Sequence, residues 1–197
     1  KSNSLFSPPD GVLEIGVKQG SNIIISDSLG NKSGYENGFV RENIPGSIPR
    51  SYKNGSEDPP YGYYLPINNY SVVLSDFNEG ISNTFFFTGN KSMMYERFSA
   101  FTGQRDSLYF DGGIFVNNPD PDYKEMTLLS IINEGTQEKL FSAIGLQLLQ
   151  DNSVKIENPD SNTIKIISYG VDNSYNVELN YVTENEFGRF YYSGVSL

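Results

Sequence analysis

Tyr70-Ser71-Val72-Val73-Leu74-Ser75-Asp76-Phe77, Ser82-Asn83-Thr84-Phe85-Phe86-Phe87-Thr88 and Ser92-Met93-Met94-Tyr95-Glu96-Arg97-Phe98 follow one another, punctuated by Asn78-Glu79-Gly80 and Gly89-Asn90-Lys91. Valine, phenylalanine and tyrosine pack well on a pleated surface, while Gly and Asn accept the backbone angles of a tight hairpin turn. These runs therefore read as consecutive antiparallel strands. Ser107 to Val116 adds a fourth strand after a turn at Thr102-Gly103-Gln104. Short strands at regular spacing with turn signals between them predict an antiparallel β-sandwich. The unbroken Phe85-Phe86-Phe87 run predicts a strand buried on both faces.

Towards the N-terminus, Leu13, Ile15 and Val17 alternate with Glu14, Gly16 and Lys18, the period of a half-buried strand. Asn22 to Ser26 follows as a strand with continuous isoleucines. Asp27 to Gly46 then reads as a long, shaped loop. The Asp27 carboxylate folds back on nearby N–H groups, Gly30, Gly34 and Gly38 supply positive φ, and Ile44-Pro45-Gly46 turns the chain. From Arg41 to Pro66 the prolines at 45, 49, 59, 60 and 66 remove too many N–H donors for a central strand, so an ordered loop or edge meander is expected. Tyr61, Tyr63 and Tyr64 in that segment are the candidate ligand-binding residues. They have two readings: a stacking platform for a sugar ring, or apolar bodies with wet hydroxyls that cover the core edge.

Asn117-Asn118-Pro119-Asp120-Pro121-Asp122 contains turn formers and no apolar residue. It divides the expected sandwich module, residues 1–118, from a second and smaller β unit, residues 119–197, that packs on it or extends it. Tyr123 to Asn133 and Lys139 to Gln150 carry both helix and strand signals and are read as strands. Val154 to Glu157, Thr163 to Tyr169, Ser174 to Tyr181 and Arg189 to Leu197 complete the all-β expectation. Asp120, Asp122 and Glu125, with Asn117 or Asn118, offer oxygen ligands of the kind Ca²⁺ prefers, and Asp76 with Asn78 offers a smaller group. The competing reading is that these Asx residues build turns without metal.

Composition excludes several chemistries. Among 197 residues there is no cysteine and no histidine, which removes disulfides, thiolate metal sites and every triad with an imidazole base. The net charge of -10, with 14 scattered Lys and Arg, argues against nucleic acid, whose phosphates need clustered cations. No run of about 18 apolar residues predicts membrane insertion. The chain begins at Lys1 and is read as a mature form or an excised segment. A hydrolase or lyase could still use paired carboxylates, yet none of the 24 acidic residues forms an evident pair. No Ser-x-x-Lys or phosphate-binding Gly-x-x-x-x-Gly-Lys pattern occurs.

Asp27, Gly30, Gly34, Tyr35, Asn43, Ile44, Pro45 and Gly46 form an Asp-x-x-Gly-x-x-x-Gly-Tyr stretch followed by Asn-x-Ile-Pro-Gly. This pattern resembles non-catalytic β-sandwich modules of large secreted bacterial proteins, over about residues 1–110. Ser28 and Asn31-Lys32 stand where that pattern usually has Pro and Arg. The resemblance implies a secreted or cell-surface location, with neighbouring domains of a larger chain as partners. It also implies an adhesive, ligand-binding or spacer role, with a polysaccharide or surface protein as the ligand. The alternative is a fragment of a carboxylate-based glycoside hydrolase or lyase.

Overall fold

A computed structural model describes residues 11–18, 21–50, 60–77, 80–170, 174–182 and 186–196. The first strands are β1 (Val12–Val17), β2 (Asn22–Ser26), β3 (Lys32–Glu36), β4 (Phe39–Glu42), β5 (Ile48–Pro49) and β6 (Gly62–Pro66). Then come β7 (Tyr70–Ser75), β8 (Gly80–Thr88), β9 (Lys91–Ala100), β10 (Asp106–Phe110) and β11 (Ile114–Asn117). The last six are β12 (Lys124–Glu134), β13 (Gln137–Leu148), β14 (Ser153–Asp160), β15 (Thr163–Tyr169), β16 (Ser174–Val182) and β17 (Phe187–Ser196). No helix occurs among the described residues.

Among the described residues the strands form two antiparallel sheets. One has nine strands in the order β17-β16-β13-β12-β9-β8-β1-β6-β5, and the other has eight in the order β15-β14-β11-β10-β7-β2-β3-β4. From β8 onward the chain lays down a hairpin in one sheet and then crosses to the other, so both sheets grow together. The protein is an all-β antiparallel sandwich. The β unit expected after residue 118 extends both sheets, since β12 pairs with β9 and β14 with β11. Leu13, Ile15 and Val17 of β1, Val72 and Leu74 of β7, and Ile114 and Val116 of β11 are buried in the core. Phe86 of β8 stacks on Phe110 of β10 at 5.0 Å and 8°, joining the sheets directly.

Four expectations change. β1 is not half-buried, because Glu14 and Gly16 on its outer face are covered as fully as Leu13, Ile15 and Val17, with Arg50 over the one and Phe85 over the other. Residues 27–46 are not all loop: β3 and β4 form a hairpin across Asn37-Gly38, with φ of 54° and 83°. Asn-Gly at positive φ matches the twist of flanking strands in a two-residue hairpin. Ser107 to Val116 is not one strand, because Asp111-Gly112-Gly113 folds it into the β10–β11 hairpin, with Gly112 at φ 93°. The phenylalanine run is not buried on both faces. Phe86 points into the core, whereas Phe85 and Phe87 are half-buried on the outer face, as the two-residue pleat of a sandwich strand requires. Residues 123–150 are strands β12 and β13, joined at Gly135. Asn78 and Glu79 of the first hairpin turn, together with Pro59, lie outside the described residues.

The folded-back Asp27 carboxylate is present. Its Oδ1 accepts from the N–H groups of Leu29 and Asn31 at 2.9 Å, and its Oδ2 from the Asn31 amide at 2.8 Å. The Asn31 side-chain bond, and then the backbone bonds, hold the carboxyl below its ordinary value. Glu36, Glu134, Glu157, Asp160 and Glu178 are lowered in the same way by hydrogen-bond partners. A depressed carboxylate contributes stability above its unfolded pKa of about 4, and that contribution is lost as pH falls through the lower folded value. Glu14 acts oppositely: burial raises its pKa, so its contribution declines as pH rises through the ordinary glutamate range and is level above the raised value. The denaturation midpoint is expected to fall below about pH 4. Asp27→Asn should differ less from the wild type at pH 3 than at pH 7, and an equal difference at both would refute the turn's role.

Candidate functional site

The alternation of β1 places Glu14 and Gly16 on the outer face of the nine-stranded sheet. Register sets Glu14 between Tyr64 of β6 and Phe87 of β8, and Gly16 between Gly62 and Phe85. Two facing glycines leave a trough in the sheet surface, and the Phe85 ring fills it. A Cβ on Gly16 would meet Phe85 Cζ at 2.8 Å, and one on Gly62 would meet Gly16 Cα at 2.6 Å. Phe87 lies 5.0 Å from Phe85, tilted by 48°.

Arg50 completes the arrangement. Its guanidinium lies 5.3 Å from the centre of the Phe85 ring and 2.8 Å from Glu14 Oε1. Glu14 is only 3% exposed. Burial raises its carboxyl above the ordinary value while Arg50 opposes the shift. Backbone bonds hold the walls: Val17 N–H donates to Tyr61 O at 2.7 Å, and Arg50 N–H to Gly62 O at 2.9 Å. The outcome is a shallow groove of about 720 Å³, walled by Tyr61, Tyr64, Phe85 and Phe87 with Arg50 and Lys18 at its margins. Such a surface offers flat apolar faces, two phenolic hydroxyls and positive charge. It suits a ligand with both C–H faces and polar groups.

The tyrosine cluster expected at this segment divides by the pleat. Tyr61 and Tyr64 line the groove, whereas Tyr63 points inward, is fully buried, and donates from its hydroxyl to Arg41 O at 3.2 Å. Tyr63 therefore belongs to the core-cover reading. Phe85 and Phe87 were not expected at a site. Their two-residue spacing was the available signal, but partners from β1 and β6 became apparent only with the register.

Asp120, Asp122 and Glu125 occupy different surroundings. Asp120 Oδ2 lies 3.1 Å from Lys124 Nζ, Asp122 lends its carbonyl to the Asn118 amide at 2.9 Å, and Glu125 stands on β12 opposite Phe98 and Gln147. The cation held between carboxylates here is a lysine: Lys124 Nζ is also 2.8 Å from Asp106 Oδ1. Among the described residues no group of three acidic side chains is placed to hold a metal. The partner proposed for Asp76, Asn78, lies outside the described residues, and Asp76 Oδ2 accepts from the Asn22 amide at 3.0 Å.

Lys124 belongs to a buried ionic network that sequence reading missed. Asp106 is fully buried and also receives the Tyr95 hydroxyl at 2.7 Å and the Arg97 guanidinium at 3.4 Å. Burial first, and then the Asp106 carboxylate, hold the Tyr95 phenol well above its ordinary value. Arg97 further donates to the carbonyls of Phe98 and Glu125 and to Gln104 Oε1, while Lys124 donates to Arg105 O at 2.6 Å. Asp106 opens β10 and Lys124 opens β12, so the network ties together the two connections that change sheets at 101–105 and 118–123. Asn118 fixes the second of these, with its amide on Leu148 O at 2.8 Å and Asp122 O at 2.9 Å.

A second hollow, of about 580 Å³ on the outer face of the eight-stranded sheet, has Ile24 and Val73 at its floor. Its rim charges include the Lys32–Glu36 pair at 2.6 Å. Among the described residues that line it, Tyr35 is the one aromatic. The aromatic groove on the nine-stranded sheet is therefore the stronger candidate. Compared with known proteins, the chain matches no family model, no curated sequence and no solved structure.

Proposed function

We propose that this protein is a non-catalytic binding module of an exported or cell-surface protein, and that it takes carbohydrate on the aromatic groove. One observation carries the reading. On the outward positions of β6 and β8, where an antiparallel sandwich ordinarily places solvated polar side chains, the chain presents Tyr64, Phe85 and Phe87, joined by Tyr61. Sugar rings expose C–H faces that pack on aromatic faces, and hydroxyls that hydrogen-bond to Tyr and Arg. Phe85 covers Gly16 and so has a structural duty as well. Tyr64 and Phe87 are the cleaner probes, being half-buried at the groove wall.

A broad glycan array tests the proposal. Binding is expected to at least one polysaccharide class, and Tyr64→Ala and Phe87→Ala should each weaken it about tenfold or more, the range of a truncated aromatic hot spot. The circular dichroism of both variants should be unchanged. A protein that binds nothing on the array, or binds equally well without these rings, would refute it.

A further inference from the structure

We infer that the groove selects an anionic polysaccharide, a chain of sugar rings carrying carboxylate or sulfate groups, with Lys18 as the residue that reads the charge. The inference rests on the carbohydrate reading above and adds the substrate class to it.

The observation is a local reversal of charge. The chain as a whole carries a net charge of -10, yet among the described residues the charged side chains that line the groove are Lys18 and Arg50, with no carboxylate among them. Beneath it, the Glu14 side chain is 3% exposed and already paired with Arg50 at 2.8 Å. Taken together, Lys18, Arg50 and Glu14 leave one positive charge at the groove. Lys18 is exposed, and among the described residues no carboxylate forms an ion pair with it. Its backbone is fixed by its N–H bond to Asn83 O at 2.9 Å, directly after β1. Along that row the next acidic position is Glu96, opposite Asn83 on β9 and outside the groove lining.

These groups have distinct tasks. The Glu14 carboxylate holds the Arg50 guanidinium over Phe85, which leaves Arg50 acting chiefly as part of the stacking surface. Lys18 carries a point charge on a flexible stem, suited to an anionic substituent whose position varies from sugar to sugar. A neutral polysaccharide would leave that charge unused, and a polycation would meet it as repulsion. An anionic chain gains attraction at the groove while the acidic remainder of the surface disfavours binding elsewhere.

The test is affinity electrophoresis of the protein in gels containing alginate or polygalacturonate, dextran sulfate, or neutral dextran and hydroxyethyl cellulose. Wild type, Lys18→Gln, Lys18→Glu and Tyr64→Ala are compared at 20 and 300 mM salt. The expected result is retardation by at least one acidic polymer, weakened severalfold by Lys18→Gln and further by Lys18→Glu, diminished at the higher salt, and abolished by Tyr64→Ala. The carboxylate and sulfate gels distinguish the two sources of charge. Retardation by the neutral polymers alone, lost in Tyr64→Ala, would overturn the anionic assignment and leave the carbohydrate reading standing. Retardation by acidic polymers that is indifferent to Lys18→Glu would overturn the assignment of Lys18. No retardation in any gel would overturn both readings.

Discussion

Asp106→Ala is expected to destabilise the protein by about 3–5 kcal/mol, the range for removing one partner of a buried ion pair. The loss has a specific cause. Asp106 is fully buried, and its carboxylate faces Lys124 Nζ at 2.8 Å, Arg97 Nε at 3.4 Å and the Tyr95 hydroxyl at 2.7 Å. Its removal leaves two cations inside the sandwich, of which only Lys124 keeps a carboxylate, Asp120, at 3.1 Å. In a chain of this size each kcal/mol lowers the melting temperature by about 2–4 °C. Urea unfolding and calorimetry both read the effect, and a change below about 1 kcal/mol would show that the network is peripheral to stability. A triple replacement, Asp106→Leu with Arg97→Met and Lys124→Met, should recover much of the loss, because apolar packing can substitute for a buried charge cluster. Failure of that recovery would trace the loss to the Tyr95 hydroxyl and the carbonyls of Phe98, Glu125 and Arg105, which lose their partners in the triple variant.

The second large effect is expected at Gly34, in the middle of β3. Its φ is 138°, and a Cβ there would collide with the backbone of β2, meeting Ile24 Cα at 2.7 Å and Ile23 O more closely still. Backbone strain of about 1–3 kcal/mol and overpacking of about 1–3 kcal/mol add to roughly 2–6 kcal/mol for Gly34→Ala. Gly30→Ala is the control. It has positive φ, at 83°, but open space around its Cβ, so only the conformational cost of about 1–2 kcal/mol applies. Comparable losses at the two sites would rule out close approach as the reason for Gly34. The second glycine of the Asp-x-x-Gly-x-x-x-Gly-Tyr stretch thus has an architectural explanation: it lets the β3–β4 hairpin dock against β2.

Much of the candidate site was legible only in part. Tyr61 and Tyr64 stand in a proline-rich segment that could be singled out by composition, and they reach the groove. Tyr63 could not be separated from them, because a loop assignment carries no alternation, and only the β1–β6 pairing sends it inward. Phe85 and Phe87 read as core in the sequence, because continuous apolar runs usually lie there. Their outward placement depends on which single phenylalanine faces Phe110 across the sheets. Gly16 and Gly62 acquire meaning only as neighbours across two strands. Lys18 and Arg50 are far apart in sequence and meet at one groove because β1 and β6 are adjacent, with β5 beside them.

The sequence by itself determined that the chain is all β. Two-residue alternation in β1 and hairpin residues such as Gly89-Asn90 are local signals, and local backbone preferences act on them directly; only over 123–150 did helix signals compete with them. It also determined the Asp27 turn, which closes within five residues, and the absence of imidazole and thiol chemistry. The tertiary structure alone decided the order of strands in each sheet, the continuity of both sheets past residue 118, the Asp106 network and the aromatic groove. The physical reason is common to all four. Each depends on which strands lie side by side, and pairing between distant segments is chosen by burial summed over the whole chain. The residues around Asp106 show this most plainly: Asp, Arg and Lys read as surface residues until the fold brings opposite charges together where no water can reach them.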